Sequence, residues 1–388
     1  MAKTAYSPME LWRGRVGSEV YAVQNGKQVI RNYSPTKGNP QALADWRKRN
    51  LLAFVNVDNK PITLSIRKNS DGAPTLRLQY SKNGIQWHEW GLTSTTALIV
   101  QIQTGSRIYV RGIGNTATGA YHEGDDEFNI SAINCNQINA DGLFACEGEL
   151  FRILDYKNNE NTPLNPFAFA CLFRESNIVL PPNLSSVNLN NDCYNEMFKT
   201  ATNLTTQPIL PARTVPNFAY TRMFQGCTSL TETNKILAEE IKRAGAYVMF
   251  LESKVKEISL EKLEKAEGLS LYNFLGNCNE LTKVNLSNLT QIEVNALSNA
   301  FRNCKALKQT PILNVRSLKN NSLDGAFSGC SSLEEVTIYA TNAATANATN
   351  NWLQGVAETG KFFTPANADW GDERSPSLIP EGWDRIDI

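Results

Sequence analysis

The stretch Ala326-Phe327-Ser328-Gly329-Cys330-Ser331-Ser332-Leu333 carries an aromatic residue, a cysteine three positions on and a leucine six positions on. The pattern returns as Phe301-Cys304-Leu307, Leu275-Cys278-Leu281 and Phe224-Cys227-Leu230, with weaker copies at Phe198-Leu204, at Phe250, and at Phe173 with Val179. The anchors 173, 198, 224, 250, 275, 301 and 327 are thus spaced by 25 or 26 residues. A fixed period of that size is the signature of a solenoid, whose units each bury an apolar face only by stacking on a neighbour.

Within a unit, Leu297, Ala300, Phe301 and Cys304 fall at offsets 0, 3, 4 and 7, the spacing of one helix face. Short alternating runs follow, such as Val336-Thr-Ile338, Val284-Asn-Leu286 and Ile258-Ser-Leu260, and predict one strand per coil. The expected repeat is therefore one helix and one short strand. Its core ladder is Phe198, Phe224, Cys227, Leu230, Cys278, Leu281, Phe301, Cys304, Leu307, Phe327, Cys330 and Leu333. Unit 250 has Lys256 where leucine is expected, which predicts an irregular or open coil there.

Ala326–Leu333 and Met223-Phe224-Gln225-Gly226-Cys227-Thr228-Ser229-Leu230 resemble the BspA-like leucine-rich repeat, as do the strands Pro208-Ile-Leu210 and Pro311-Ile-Leu313. The tail, Asn351-Trp352-Leu353-Gln354-Gly355-Val356 and Ile379-Pro380-Glu381-Gly382-Trp383, resembles the segment that closes such arrays. The resemblance implies a solenoid over residues 134–388, with seven units at about 165–350 and a cap at 351–388. Trp352, Trp370 and Trp383 are read as sealing the open end, ahead of ligand binding by those residues or Tyr339.

The chain has 388 residues, 38 basic and 38 acidic, so no net field selects nucleic acid or an anionic membrane. No apolar run reaches the roughly 20 residues that cross a bilayer, and the N-terminus lacks the apolar stretch of a secretory signal. Synthesis in a host cytoplasm is the expectation. Four of the eight cysteines occupy one equivalent position of the repeat, which suits a ladder of small buried hydrophobes more than disulfides.

Charge is unevenly spread. Residues 1–57 hold nine basic residues against three acidic ones, a net +6, balanced by −6 in the remainder. Val20-Tyr21-Ala22-Val23 and Gln28-Val29-Ile30-Arg31 flank Gln24-Asn25-Gly26, a hairpin signal. Asn39 with Pro40 after it predicts a helix running through Trp46 to about residue 57. The order Gly14-Arg15-Val16-Gly17-Ser18-Glu19-Val20-Tyr21, Asn25-Gly26-Lys27-Gln28-Val29-Ile30-Arg31 and Asn39-Pro40-Gln41 is similar to the N-terminal segment of virion proteins of crAss-like gut phages. That resemblance implies a capsid-docking arm bearing Arg13, Arg15, Lys27, Arg31, Trp46, Arg47, Lys48 and Arg49. A nucleic-acid contact needs only lysine and arginine, but the hairpin and helix favour a protein partner.

Residues 58–133 alternate with period two at Ile62–Ile66, Leu76–Tyr80, Ile85–Trp87, Leu98–Ile102, Arg107–Arg111 and Phe128–Ile130, a small β-sandwich pattern. The stretch Leu78-Gln-Tyr80-Ser81 to Trp87 also resembles the small β-domain that precedes BspA-like repeats. Ser81-Lys82-Asn83-Gly84-Ile85-Gln86-Trp87 approaches a sialidase Asp-box, but it stands alone and has Asn83 in place of aspartate. Gly124-Asp125-Asp126-Glu127 reads as a solvated loop before a calcium site. His88 and His122 are the two histidines, and neither has the context of a nucleophile's base. No cofactor, metal or catalytic pair is expected.

The sequence reading is a multidomain α+β protein: hairpin-helix docking arm, small β-sandwich, and repeat solenoid with cap. Its expected role is that of a non-enzymatic phage head fibre or capsid decoration protein on the virion surface. Its partners would be the major capsid or another virion protein, a host surface glycan or protein, and itself as a homo-oligomer, a dimer ahead of a trimer. A bacterial cell-surface adhesin is the alternative.

Overall fold

The computed structural model describes residues 11–16, 19–24, 27–32, 51–91, 97–120, 133–343, 347–371 and 374–388. Its C-terminal part is a β-solenoid of about six turns. The structure is 2% helical, and among the described residues the helical turn of note is the 3₁₀ turn Leu150–Ile153. The expected α+β class is therefore incorrect, and the protein is built mainly of strands and turns.

What replaces the helix of each repeat is a ribbon of consecutive turns. The N–H groups of Ala296, Ser298, Ala300, Arg302 and Cys304 each donate to the carbonyl three residues back. The N–H groups between them donate to the next coil: Leu297 to Ser322 at 2.9 Å, Asn299 to Asp324 at 2.7 Å, Phe301 to Ala326 at 2.8 Å and Asn303 to Ser328 at 2.8 Å. Every fourth residue is left-handed, with Asn295, Asn299 and Asn303 at φ of 58°, 55° and 60°. The four-residue repeat buries Leu297, Ala300, Phe301 and Cys304 together, so it imitates the spacing of a helix face.

The reason is pitch. The rings of Phe173, Phe198, Phe224 and Phe250 stack face to face with centroids 5.5, 5.5 and 5.1 Å apart, and Phe301 lies 5.0 Å from Phe327. That spacing is close to the ~4.8 Å between hydrogen-bonded strands. Side-by-side helices need about 8–10 Å, so a helix in every coil would splay that side of the stack and curve it into a horseshoe. A turn ribbon advances at strand pitch and lets all sides of the coil hydrogen-bond at once.

The remaining sides carry parallel pairs of two or three residues: Glu257–Ser259 with Lys283–Asn285, and Thr214–Val215, Glu240–Ile241, Lys265–Ala266 and Gln291–Ile292 in one ladder. Coil 250 is not open. It has 25 residues instead of 26, Lys256 is exposed, and Val255 enters the core in place of leucine. Coil 173 uses Ile178 in the same way.

At the other end of the core lie two sheets. One has the order β10 (Gly119–Ala120), β11 (Asn134–Ala140), β5 (Ile62–Lys68), β8 (Leu98–Ile102). The other has β13 (Ile178–Leu180), β12 (Phe144–Glu147), β4 (Ala53–Asn56), β9 (Arg107–Gly112), β6 (Arg77–Ser81), β7 (His88–Gly91). Residues 134–147 thus pair within these sheets, although the sequence groups them with the repeats. β13 belongs to the first coil and joins β12 in parallel. One apolar core consequently runs from Leu52 to Trp383.

The docking-arm helix fails at its C-terminal end. Ala53–Asn56 is a strand between β9 and β12 with all four residues buried. Burial on both sides, with Phe54 against Phe144 and Phe173 at 6.3 and 6.5 Å, outweighs the local helix signal. Residues 39–50, most of that expected helix, lie outside the described residues. The N-terminal segment itself contains a three-stranded sheet, β1 (Leu11–Val16), β2 (Glu19–Gln24), β3 (Lys27–Asn32), with Gln24 opposite Lys27 as a tight hairpin requires.

Candidate functional site

Among the docking residues, Arg13 and Arg15 are on β1 and Lys27 and Arg31 on β3. The strand register sets Arg15, Val20 and Arg31 in one row, with a break between Arg13 and Arg15. Trp46, Arg47, Lys48 and Arg49 lie outside the described residues, as do His122 and Gly124–Glu127.

Phe198, Phe224, Cys227, Leu230, Cys278, Leu281, Phe301, Cys304, Leu307, Phe327, Cys330 and Leu333 are all buried. Each ladder thiol has a partner one coil back: Cys227 donates to Phe198 O at 3.0 Å, Cys278 to Phe250 O at 3.2 Å, Cys304 to Leu275 O at 3.1 Å and Cys330 to Phe301 O at 3.0 Å. Burial pushes the Cys278 thiol up to about 12 and the Cys227 thiol higher still. These are structural thiols without thiolate character at neutral pH.

The three cap tryptophans are buried, and each indole N–H is satisfied: Trp352 by Leu378 O, Trp370 by Thr364 Oγ1 and Trp383 by Ala357 O, at 3.0, 2.9 and 2.8 Å. Trp352 and Trp370 stack at 5.5 Å. They seal the ladder and offer no exposed platform. Tyr339 remains partly exposed.

His88 is exposed on β7, with its ring 5.4 Å from Tyr80. In the adjoining turn Asn83 Oδ1 accepts from the N–H groups of Ile85 and Gln86, both at 2.9 Å, so Asn83 organises the turn itself. Among the described residues no group of three or more His, Cys, Asp or Glu is placed to hold a metal ion.

Two clusters escape motif reading. Glu196 is fully buried among Arg174 at 3.0 Å, Lys199 at 2.8 Å and Arg222 at 3.4 Å. These residues come from three consecutive coils, so the repeat register could have placed them together. The second cluster joins three segments: the Arg111 guanidinium lies 4.1 Å from the Trp87 ring centroid and 4.6 Å from that of Tyr156. The solenoid also bears a groove of about 570 Å³ with Val187, Leu189, Pro211, Pro216 and Leu237 in its lining and Arg213 and Lys262 beside them. Compared with known proteins, the chain matches no family model, no curated protein and no solved structure.

Proposed function

We propose that the chain is a non-enzymatic structural protein of a bacteriophage virion, a head fibre or capsid decoration protein. The N-terminal arm docks on the major capsid protein or another virion protein, and a solenoid of BspA-like leucine-rich-repeat type faces outward to adhere to a host or gut surface. The observation that carries this reading is the division of labour along the chain. The first 57 residues carry a net charge of +6 and the remainder −6, and among the described residues one large apolar core extends from Leu52 to Trp383. An unbroken core of stacked coils makes a stiff display element, because each coil is braced by its neighbours. Weak contacts at the solenoid groove, multiplied over many copies, would suffice for adhesion. A homo-oligomer, a dimer ahead of a trimer, belongs to the same reading.

The test is deletion of residues 1–50, which stops short of β4. The truncated protein should remain folded and be missing from purified particles. Incorporation at the normal level would refute docking through the arm.

A further inference from the structure

Arg111, Gln79 and Glu89 form one row across three adjacent strands, β9, β6 and β7. Arg111 Nε donates to Gln79 Oε1 at 2.8 Å, and Gln79 Nε2 donates to Glu89 Oε1 at 2.6 Å. The guanidinium is thereby fixed in plane by its Nε, while Trp87 and Tyr156 hold its position through their rings. Tyr156 is anchored in turn, since its N–H donates to Gly112 O at 3.1 Å and its carbonyl accepts from Arg152. Neither terminal nitrogen of Arg111 makes a hydrogen bond or an ion pair with any described residue.

We propose that Arg111, held between Trp87 and Tyr156, binds the carboxylate of an acidic sugar, a uronic or sialic acid residue of a glycan. The free edge of a fixed guanidinium matches a carboxylate in two parallel hydrogen bonds. Trp87 is partly exposed and Tyr156 exposed beside the guanidinium, which puts apolar ring surface within reach of the C–H groups of a pyranose whose carboxylate is attached directly to the ring. Glu89 adds an exposed acceptor for sugar hydroxyls beside the guanidinium. Burial already draws the Arg111 pKa down, a sign that its hydration shell is partly stripped before any ligand arrives. The inference does not depend on attachment to a virion, because it concerns the free protein.

The experiment is calorimetric titration of the full chain with trigalacturonate and with sialyllactose, using neutral lactose and hexaglutamate as comparisons. At least one acidic saccharide should bind, with lactose and hexaglutamate weaker by about tenfold or more. Arg111→Lys keeps the charge and the methylene stem but loses the fork. It should weaken saccharide binding by about tenfold in a protein that still unfolds in one cooperative transition. Failure of both acidic saccharides to bind would overturn the proposal. Undiminished binding by Arg111→Lys would overturn it too, as would hexaglutamate binding as tightly as the saccharides.

Discussion

Replacing Asp192 with asparagine should stabilise the protein, and only above a defined pH. Asp192 stands at the left-handed position of its ribbon, with φ of 57°. The same position in later coils holds Asn295, Asn321 and Asn347, at 58°, 55° and 45°. The substitution therefore installs a residue the backbone already accommodates three times. Burial raises the Asp192 carboxyl from 3.8 to about 6, against the opposing bond from Asn195 Nδ2 at 2.8 Å. Because the folded pKa lies above the unfolded one, the folded state holds the proton more tightly. Its stability falls as pH rises from about 4 through 6, and the full cost is present at pH 8. Two units correspond to about 3 kcal/mol at most, and partial solvent exposure reduces this to about 1–2 kcal/mol. Urea midpoints of wild type and Asp192→Asn, measured from pH 4 to 8, should coincide at pH 4 and separate progressively above it. A difference that does not change with pH would show that the carboxylate is not destabilised by burial.

Glu196→Gln should act in the opposite direction, costing about 3 kcal/mol or more in chemical denaturation, because it leaves Arg174, Lys199 and Arg222 clustered without their buried counter-charge. Cys304→Asp should cost at least about 3 kcal/mol by placing an unpaired charge in the ladder. Cys304→Ser should cost only about 1 kcal/mol, since a hydroxyl can donate to the Leu275 carbonyl; equal losses for the two would refute the assigned thiol bond. Gly329→Ala should destabilise by about 1–2 kcal/mol, because φ is 77° and the added Cβ would displace the Asn303 side chain, whose Oδ1 would lie 2.1 Å away; an unchanged melting temperature would contradict the ribbon geometry.

The repeat period was legible because each coil must place Phe, Cys and Leu on one ladder. The helix was misread because Leu297, Ala300, Phe301 and Cys304 have the same spacing on a helix face and on a four-residue turn ribbon. The discriminating signal lay beside them, in Asn295, Asn299 and Asn303. Asparagine every fourth residue suits the left-handed region and is poor in a helix interior. Several sandwich strands were legible from their alternation, as at Ile62, Leu64 and Ile66, but Ile85–Trp87 is a bend ahead of β7 and Phe128–Ile130 lies outside the described residues. Ala53–Asn56 was not legible, since a fully buried central strand shows no alternation. Trp87, Arg111 and Tyr156 come from segments with no periodic relation, so only tertiary structure unites them. The docking arm rests on charge and resemblance, with Trp46, Arg47, Lys48 and Arg49 outside the described residues.

The most direct test of the proposed role is quantitative mass spectrometry of purified phage particles from the producing host, run beside the surface proteome of that host. The account predicts the intact chain, including peptides from residues 1–57, in the particles at high copy number. Recovery of the chain only in the cell-surface fraction would contradict it and identify a bacterial adhesin instead.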